Sequence, residues 1–176
     1  MTRHIVLVGL PGAGKSTVGK LLAERLGAPY VDIDSLIVRK MQKPIARIFA
    51  EDGEPRFRQI EAETMRQALT GPPAVIIPGG GWAAQPGALD GIEAHAFLVY
   101  LRVMAITAAK RADKGEEGGR PLLVGVDPVE HMRFLLRERE RFYLLAEAEV
   151  KADVKSAGPI AEEIAILVRE RAGWQV

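Results

Sequence analysis

The sequence predicts an α/β protein, with a parallel sheet covered by helices on both faces, and three observations support this class. Short apolar runs alternate with helix-patterned segments along the chain, which is typical of parallel β–α–β units. A phosphate-binding motif follows the first apolar run, and polar or glycine-rich segments follow the second and third. Because ligands of such sheets bind beyond the carboxyl ends of the strands, these three segments are expected to line one crevice.

Five runs are predicted to form the strands of this sheet. They lie at residues 3–9, 29–32, 74–77, 96–101 and 149–152. Residues from about 33 to 69 hold two or three helices, which is more than a crossover needs, so this segment is a candidate pocket for a second substrate. The chain has 176 residues, and we expect residues 1–176 to form a single domain with a full core.

The segment after the first run matches the P-loop pattern G-x-x-x-x-G-K-[ST]. Its backbone N–H groups and the start of the next helix provide a nest for phosphate oxygens. Lys15 is expected to reach the β- and γ-phosphates, and the Ser16 hydroxyl to ligate Mg²⁺. A chance match in a chain of this length is expected roughly once in two hundred. The residues predicted to bind ATP here are Gly12, Ala13, Gly14, Lys15, Ser16 and Thr17.

The bulk composition excludes several classes of function. The formal net charge is +1, so no excess of positive charge points to nucleic acid or to an anionic membrane. The chain has no cysteine, which excludes a disulfide framework and any thiolate metal site, and its three scattered histidines disfavour a histidine metal site. No apolar run approaches the length of a membrane crossing. We therefore expect a soluble cytoplasmic enzyme, and we also expect it to be a monomer.

Two carboxylates end the second predicted strand beside the P-loop. A kinase needs one carboxylate to orient or deprotonate the acceptor hydroxyl and another to hold the hydrated Mg²⁺. Because no aspartate follows the third strand, Asp32 is the best placed residue for the Mg²⁺ side. The alternative for Asp34 is that it caps the helix that follows. The alternatives for Asp32 are that it caps this helix or simply ends the strand.

Charged residues also fall on the apolar faces of two predicted helices. One helix begins after Asp127 with a capping-box pattern, and the position that continues its apolar face is Arg139. The other helix starts at Pro55 and carries Glu61 on its apolar face. Arg58 lies at the edge of that face, three residues before Glu61, which is a spacing that allows the two side chains to pair. Structural or surface ion pairs remain the alternative for both. Two inward arginines would suit a co-substrate that bears a carboxylate.

Two glycine-rich segments complete the candidate site. The three glycines at 79–81 would let backbone N–H groups approach a ligand closely, unless they form a plain flexible turn. Residues from about 112 to 124 are charged and glycine-rich, and we interpret them as a mobile lid. In that lid, Arg120 is either a solvated charge or an arginine that closes on the phosphates.

Taken together, these motifs resemble the shikimate kinases, a family of P-loop small-molecule kinases close to the nucleoside monophosphate kinases. The matching stretches are GLPGAGKST at 9–17, DID at 32–34, GEPRFR at 53–58 with Glu61, GGG at 79–81, RPLL at 120–123, and Arg139 followed by Tyr143. The resemblance implies a three-layer P-loop kinase fold with strand order 2-3-1-4-5 and a lid. It also implies transfer of the ATP γ-phosphate to the 3-hydroxyl of shikimate, with Mg²⁺, on the route to chorismate.

The same resemblance implies a role for each matching position. Asp34 would bind the shikimate hydroxyls as base or orienter, Lys15 and Arg120 would act at the phosphates, and Arg111 would lie on the adenine side. The remaining implied contacts are the carboxylate clamp of Arg58 and Arg139, Glu61 behind Arg58, the backbone of Gly79, Gly80 and Gly81, a ring wall of Phe49 and Phe57, and Mg²⁺ held by Ser16 with Asp32 through water.

Two other functions remain open at this point. The clamp would also suit a different small hydroxy acid such as gluconate, and a regulator that binds nucleotide without catalysis is a separate class. Retention of Asp34 argues against the regulator, because binding alone does not need it. Trp82, directly after the three glycines, either narrows the acceptor pocket or packs beneath it.

Overall fold

The parallel sheet has the strand order β2-β3-β1-β4-β5 in a computed structural model that describes residues 1–113 and 125–175. Its strands are β1 His4–Val8, β2 Tyr30–Asp32, β3 Val75–Ile77, β4 Ala96–Arg102 and β5 Ala148–Lys151. Each predicted strand lies within one residue of an observed one at either end. The order agrees with the one implied by the family resemblance.

Strand β1 lies at the centre of the sheet, between β3 and β4. Ile5 pairs with Val75 on one side and with Phe97 on the other, both in parallel register. All five residues of β1 are buried. Central strands of parallel sheets are covered on both faces, which explains why this segment reads as an unbroken apolar run rather than an alternating one.

The described helices are α1 Lys15–Leu26, α2 Ile33–Met41, α3 Ile45–Asp52, α4 Glu54–Leu69, α5 Ala105–Asp113, α6 Pro128–Tyr143 and α7 Ala157–Arg171, with short 3₁₀ turns at Trp82–Ala84 and Ile92–Ala94. The chain crosses from β1 towards β2 in one direction and from β4 to β5 in the other. Right-handed crossovers therefore put α1 and the α5–α6 pair on opposite faces of the sheet. Helix α7 packs against α1.

The start of α2 settles which aspartate is the helix cap. The Asp32 carboxylate accepts a hydrogen bond from the Ser35 N–H at 2.9 Å, so Asp32 is the N-cap. Asp34 lies inside the first turn of α2. The capping alternative for Asp34 was therefore wrong, because the helix begins two residues earlier than that alternative required.

Helix α6 begins as its sequence predicts. The Asp127 carboxylate accepts hydrogen bonds from the N–H groups of Val129 at 2.8 Å and Glu130 at 3.1 Å. Pro128, which has no N–H to satisfy, is the first helical residue. The Glu130 carboxylate pairs with Arg133 one turn later, so the capping is carried by Asp127.

A buried histidine ties the start of β1 to its surroundings at the amino end of the sheet. The His4 Nδ1 atom accepts a hydrogen bond from the Ala74 N–H at 3.2 Å, and Nε2 lies 3.1 Å from the Leu69 carbonyl oxygen. These partners place the ring proton on Nε2 of a neutral imidazole. Burial lowers the pKa of His4 below its ordinary value.

The predicted lid falls largely outside the described residues. Residues 112 and 113 belong to the end of α5, and Arg120 lies outside the part of the chain that the structure describes. Across the described residues, no helix combines the length and apolar character that a membrane crossing needs.

Candidate active site

The phosphate-binding loop joins β1 to α1, and two glycines fit it to its surroundings. Gly14 caps α1 with φ at 91° and ψ at 19°, in the left-handed region. A Cβ on Gly12 would lie 2.3 Å from the carbonyl oxygen of Ala108, so a larger residue would push the loop away from α5. Helix α1, which is described throughout, has no side-chain cap and no acidic residue in its first turn. Its N-terminus is therefore suited to an anion.

The P-loop lysine is held at the mouth of this loop. Its Nζ donates to the carbonyl oxygens of Gly9 at 3.0 Å and Leu10 at 2.8 Å, and the side chain is buried. The other residues predicted to contact ATP differ in exposure: Gly12 and Ala13 are buried, Gly14 and Ser16 are half-buried, and Thr17 is exposed. The ammonium group thus lies beside the nest that the loop and α1 form.

The two residues predicted to hold Mg²⁺ offer a hydroxyl and a carboxylate. Ser16 is half-buried in the first turn of α1. Asp32 is fixed at the end of β2, because Tyr30 donates its hydroxyl proton to Oδ2 at 3.3 Å while Oδ1 caps α2. Among the described residues, no three acidic or histidine side chains cluster as an all-protein metal cage. This small oxygen donor set fits Mg²⁺, which usually keeps several waters and binds substrate phosphates.

Asp34 lies close to the phosphate side of the sheet. It follows β2 in the first turn of α2 and is half-buried, with its Oδ1 atom shielded from solvent. A partly desolvated carboxylate at the carboxyl end of a strand can accept a hydrogen bond from a substrate hydroxyl.

Arg58 on α4 is held by two carboxylates. Its Nη1 donates to Glu61 Oε2 at 2.7 Å, and its Nη2 donates to Glu54 Oε1 at 3.2 Å. The Glu61 side chain is 0% exposed and that of Arg58 is 12% exposed. The pair is therefore not the surface ion pair of the alternative interpretation, and Glu61 fixes the direction of the guanidinium.

The triple-glycine loop lies between Arg58 and the phosphate-binding loop. A Cβ on Gly81 would come within 2.5 Å of Arg58 Nη2, and a Cβ on Gly80 would lie 2.8 Å from Pro11 Cδ. A side chain at residue 80 would meet the phosphate-binding loop itself, whereas one at residue 81 would have to displace the end of the Arg58 side chain. This packing brings a guanidinium and the phosphate-binding loop to adjacent residues of a single turn.

Each carbonyl group of that loop has its own hydrogen-bond donor. The Trp82 N–H donates to Gly79 O at 3.1 Å, the Tyr143 hydroxyl to Gly80 O at 2.5 Å, and the Gln85 side-chain amide to Gly81 O at 2.9 Å. Sequence reasoning missed Gln85 altogether, because no pattern distinguishes a glutamine that directly follows a short 3₁₀ turn. It included Tyr143 only as a motif position.

Trp82 packs beneath the loop rather than narrowing the pocket. Its side chain is 3% exposed and belongs to the buried core. The alternative in which the indole occupies acceptor space does not agree with this burial.

Arg139 is the arginine of α6 that turns inward. It is half-buried and its Nη1 atom is shielded from solvent, whereas Arg133, Arg137 and Arg141 are exposed. Tyr143 lies one turn further along the same face. Its bond to Gly80 therefore fixes the part of α6 that carries Arg139 against the glycine loop.

The predicted ring wall needs one correction. The rings of Phe49 and Phe57 stack with centroids 4.6 Å apart and planes tilted by 35°. Phe57 is wholly buried, while Phe49 is half-buried. Phe57 thus supports the wall through Phe49 instead of presenting its own surface, because it lies on the inner side of α4.

Arg111 connects two loops at the carboxyl end of the sheet. Its guanidinium donates to the carbonyl oxygens of Ala13 at 3.2 Å and Ala152 at 2.8 Å. The first belongs to the phosphate-binding loop, and the second directly follows β5. Arg111, which is predicted to lie on the adenine side, therefore fixes the phosphate-binding loop relative to the residue that follows β5.

Comparison with known proteins agrees with this arrangement. The family model for shikimate kinase matches residues 11–169. A shikimate kinase of Mycobacterium avium is 42% identical over 159 residues, which cover 90% of this chain and 88% of that one. The solved shikimate kinase of Acinetobacter baumannii, in complex with shikimate, superposes with a TM-score of 0.88 at 32% identity, covering 97% of this chain and 94% of that one.

A gluconokinase of Sinorhizobium meliloti also superposes, with a TM-score of 0.62 at 18% identity over 98% of this chain and 94% of that one. At that identity the likeness shows the fold alone. The family match covers most of the chain, and the identity to the mycobacterial enzyme extends over nearly its full length. This chain belongs to the shikimate kinase family.

Proposed function

We propose that this chain transfers the γ-phosphate of ATP to the 3-hydroxyl of shikimate, giving shikimate 3-phosphate and ADP. The observation that carries the proposal is the position of the glycine loop, with Gly80 against Pro11 and Gly81 against Arg58. It brings a recognition element for a carboxylate next to a phosphate cradle. Membership of the family supports the same reaction and its place on the route to aromatic compounds.

The acceptor carboxylate is bound by Arg58 and Arg139. A planar guanidinium binds a carboxylate through two parallel hydrogen bonds, and Glu61 keeps Arg58 in the orientation that this requires. Backbone N–H groups of the glycine loop and the ring of Phe49 complete the acceptor pocket.

Asp34 accepts a hydrogen bond from the 3-hydroxyl and orients its oxygen for in-line attack on the γ-phosphorus. A bond forms from that oxygen to phosphorus, and the bond from phosphorus to the β–γ bridging oxygen breaks, so that ADP leaves. The hydroxyl proton passes to Asp34 or to the transferred phosphate. Because the transition state is loose, orienting the hydroxyl and removing its proton are both consistent with this position.

The phosphates of ATP are bound by the P-loop N–H groups and by Lys15, and Arg111 lies on the adenine side. Ser16, with Asp32 through water, would hold Mg²⁺, which supplies neutralisation of the phosphate charge when it is bound. Arg120, from the part of the chain outside the described residues, is proposed to contact the same phosphates.

Coupled ADP release from the purified protein with Mg-ATP tests the reaction. Shikimate, gluconate and a reaction without acceptor are compared at equal concentration. Release that shikimate alone stimulates is the expected result. Stimulation by gluconate alone would show that gluconate, rather than shikimate, is the acceptor. Binding of ATP without any acceptor-dependent release of ADP would identify a nucleotide-binding regulator.

We propose in addition that the protein is a cytoplasmic monomer that engages neither nucleic acid nor membrane. A net charge of +1 and a small-molecule acceptor support this. Size-exclusion chromatography with light scattering checks the monomer, since a dimer would double the measured mass.

A further inference from the structure

We infer that Tyr143 and Gln85 are positioning residues that aim the backbone N–H groups of the glycine loop at the acceptor. The inference rests on the proposed function, because it assigns these two side chains to binding of the same acceptor. Tyr143 is wholly buried on α6, and Gln85 is half-buried after the 3₁₀ turn. Neither side chain has to touch the acceptor itself.

The planarity of the peptide bond connects these carbonyl contacts to the acceptor. The C=O of one residue and the N–H of the next point in opposite directions. The Tyr143 hydroxyl, 2.5 Å from Gly80 O, therefore fixes the direction of the Gly81 N–H. The loop cannot hold this direction unaided, because glycine has the widest backbone freedom of any residue.

Gln85 acts on the neighbouring N–H through two linked peptides. Its amide holds Gly81 O at 2.9 Å and so fixes the peptide that carries the Trp82 N–H. That N–H in turn holds Gly79 O at 3.1 Å, and this fixes the peptide that carries the Gly80 N–H. Within the described chain, the N–H groups of Gly80 and Gly81 meet no protein acceptor. Two donors are thus held in fixed directions for a ligand.

The position of Tyr143 on α6 means that its bond to Gly80 also helps to position Arg139, the second arginine proposed to bind the acceptor carboxylate. Tyr143 and Arg139 share one face of the helix, so the bond to Gly80 sets the glycine loop and the Arg139 guanidinium relative to each other. Loss of the phenolic hydroxyl is therefore expected to weaken acceptor binding and to leave the ATP side unchanged.

The neighbouring Tyr100 provides a matched control. Its ring centroid lies 5.2 Å from that of Tyr143, and its hydroxyl is equally buried. Among the described residues, however, that hydroxyl has no hydrogen-bond partner. Tyr143→Phe and Tyr100→Phe therefore remove the same atom from adjacent sites, and only the first removes a bond to the loop.

Steady-state kinetics of Tyr143→Phe, Gln85→Met and Tyr100→Phe test the inference. In the first two variants, the KM for shikimate is expected to rise about tenfold, from the loss of one buried hydrogen bond. The KM for ATP is expected to stay within about twofold of the wild-type value, because the two hydrogen bonds that are removed go to Gly80 and Gly81 rather than to the P-loop. Tyr100→Phe is expected to leave both constants unchanged.

Fluorescence of Trp82 gives a second readout that does not depend on turnover. Trp82 borders the loop, whereas Trp174 bonds to Arg3 O at the opposite end of the sheet. In a Trp174→Phe background, titration with shikimate alone is expected to show the same weakening in Tyr143→Phe and Gln85→Met.

The outcomes separate the inference from the proposed function. If wild-type protein shows no shikimate-dependent ADP release, the proposed function fails and the inference fails with it. If wild-type protein is active but Tyr143→Phe behaves as Tyr100→Phe does, the inference alone is overturned. Equal increases in the KM for both substrates would overturn it as well, because they indicate a general loss of structure.

Discussion

Gly81 and Arg58 meet so closely that a Cβ on the glycine would come within 2.5 Å of the Nη2 atom of the guanidinium. The arginine cannot move freely, because it is also paired with Glu61 and Glu54. The Arg58 guanidinium can therefore occupy its observed position only because residue 81 has no side chain.

Gly81→Ala is accordingly expected to displace Arg58 and to raise the KM for shikimate by about tenfold or more, since a charge-assisted contact is lost. The KM for ATP is expected to change little. Gly158→Ala is the control, because a Cβ there would lie 3.9 Å from its nearest neighbour, Arg25. Kinetics of both variants check this, and an unchanged shikimate KM in Gly81→Ala would contradict it.

Glu61→Ala is expected to lower the free energy of unfolding by about 2–4 kcal/mol, because it leaves a mostly buried guanidinium without its main partner. Glu63→Ala, on the same helix, breaks an exposed pair with Lys40 and is expected to change stability by about 0.5 kcal/mol or less. Urea denaturation of both variants measures the difference. Equal effects would mean that the Arg58–Glu61 pair contributes no more than a surface pair.

Asp34→Asn is expected to reduce shikimate-dependent turnover by a factor of about 10²–10⁴, the usual contribution of a positioned acid or base. ATP binding, measured by calorimetry, is expected to be retained because the P-loop is intact. Asp90→Asn, at an exposed site, serves as the control. Normal turnover in Asp34→Asn would remove it from the mechanism.

Arg139→Ala is expected to weaken acceptor binding by about 2–4 kcal/mol, the range for a charge-assisted bidentate contact. Arg137→Ala removes an exposed arginine from the same helix and should not change the shikimate KM. An Arg139→Ala enzyme with wild-type KM would show that Arg139 is purely structural.

His4 predicts a pH dependence of stability. Its pKa is lowered in the folded protein from an ordinary value of 6.5. Below that value the unfolded chain takes up the proton first, so the free energy of unfolding falls as the pH drops, until the lowered folded pKa is passed. Chemical denaturation at a series of pH values from roughly 5 to 8 measures how the free energy of unfolding changes with pH. We expect His4→Gln to flatten this dependence of the free energy of unfolding on pH, and an unchanged dependence in that variant would contradict the prediction.

Much of the fold could be predicted from the sequence, because its strongest signals are local. The five strands are apolar runs, and the turn into α1 carries a fixed motif around Lys15. The pairing of Arg58 with Glu61 also follows from helical spacing, which places both residues on one side of α4.

Other features depend on tertiary placement and have no local signal. Asp32 and Asp34 are the same residue type two positions apart, so only the observed start of α2 shows which one caps it. The hydroxyl of Tyr143 reaches a carbonyl 63 residues away. Phe57 and Phe49 both lie on apolar helix faces, and only packing shows which ring is the inner one.

The contact between Gly80 and Pro11 makes one wall common to both substrates. A side chain at residue 80 would therefore press directly on Pro11 of the phosphate-binding loop, whereas the loss of a hydrogen bond from the glycine loop adds no atom at this contact. Coupling between two ligands is reciprocal by thermodynamic necessity, so whatever factor ATP contributes to shikimate affinity, shikimate contributes to ATP affinity. Because the two loops meet at Gly80, a substitution of Gly80 itself is the change expected to affect the affinity for both substrates.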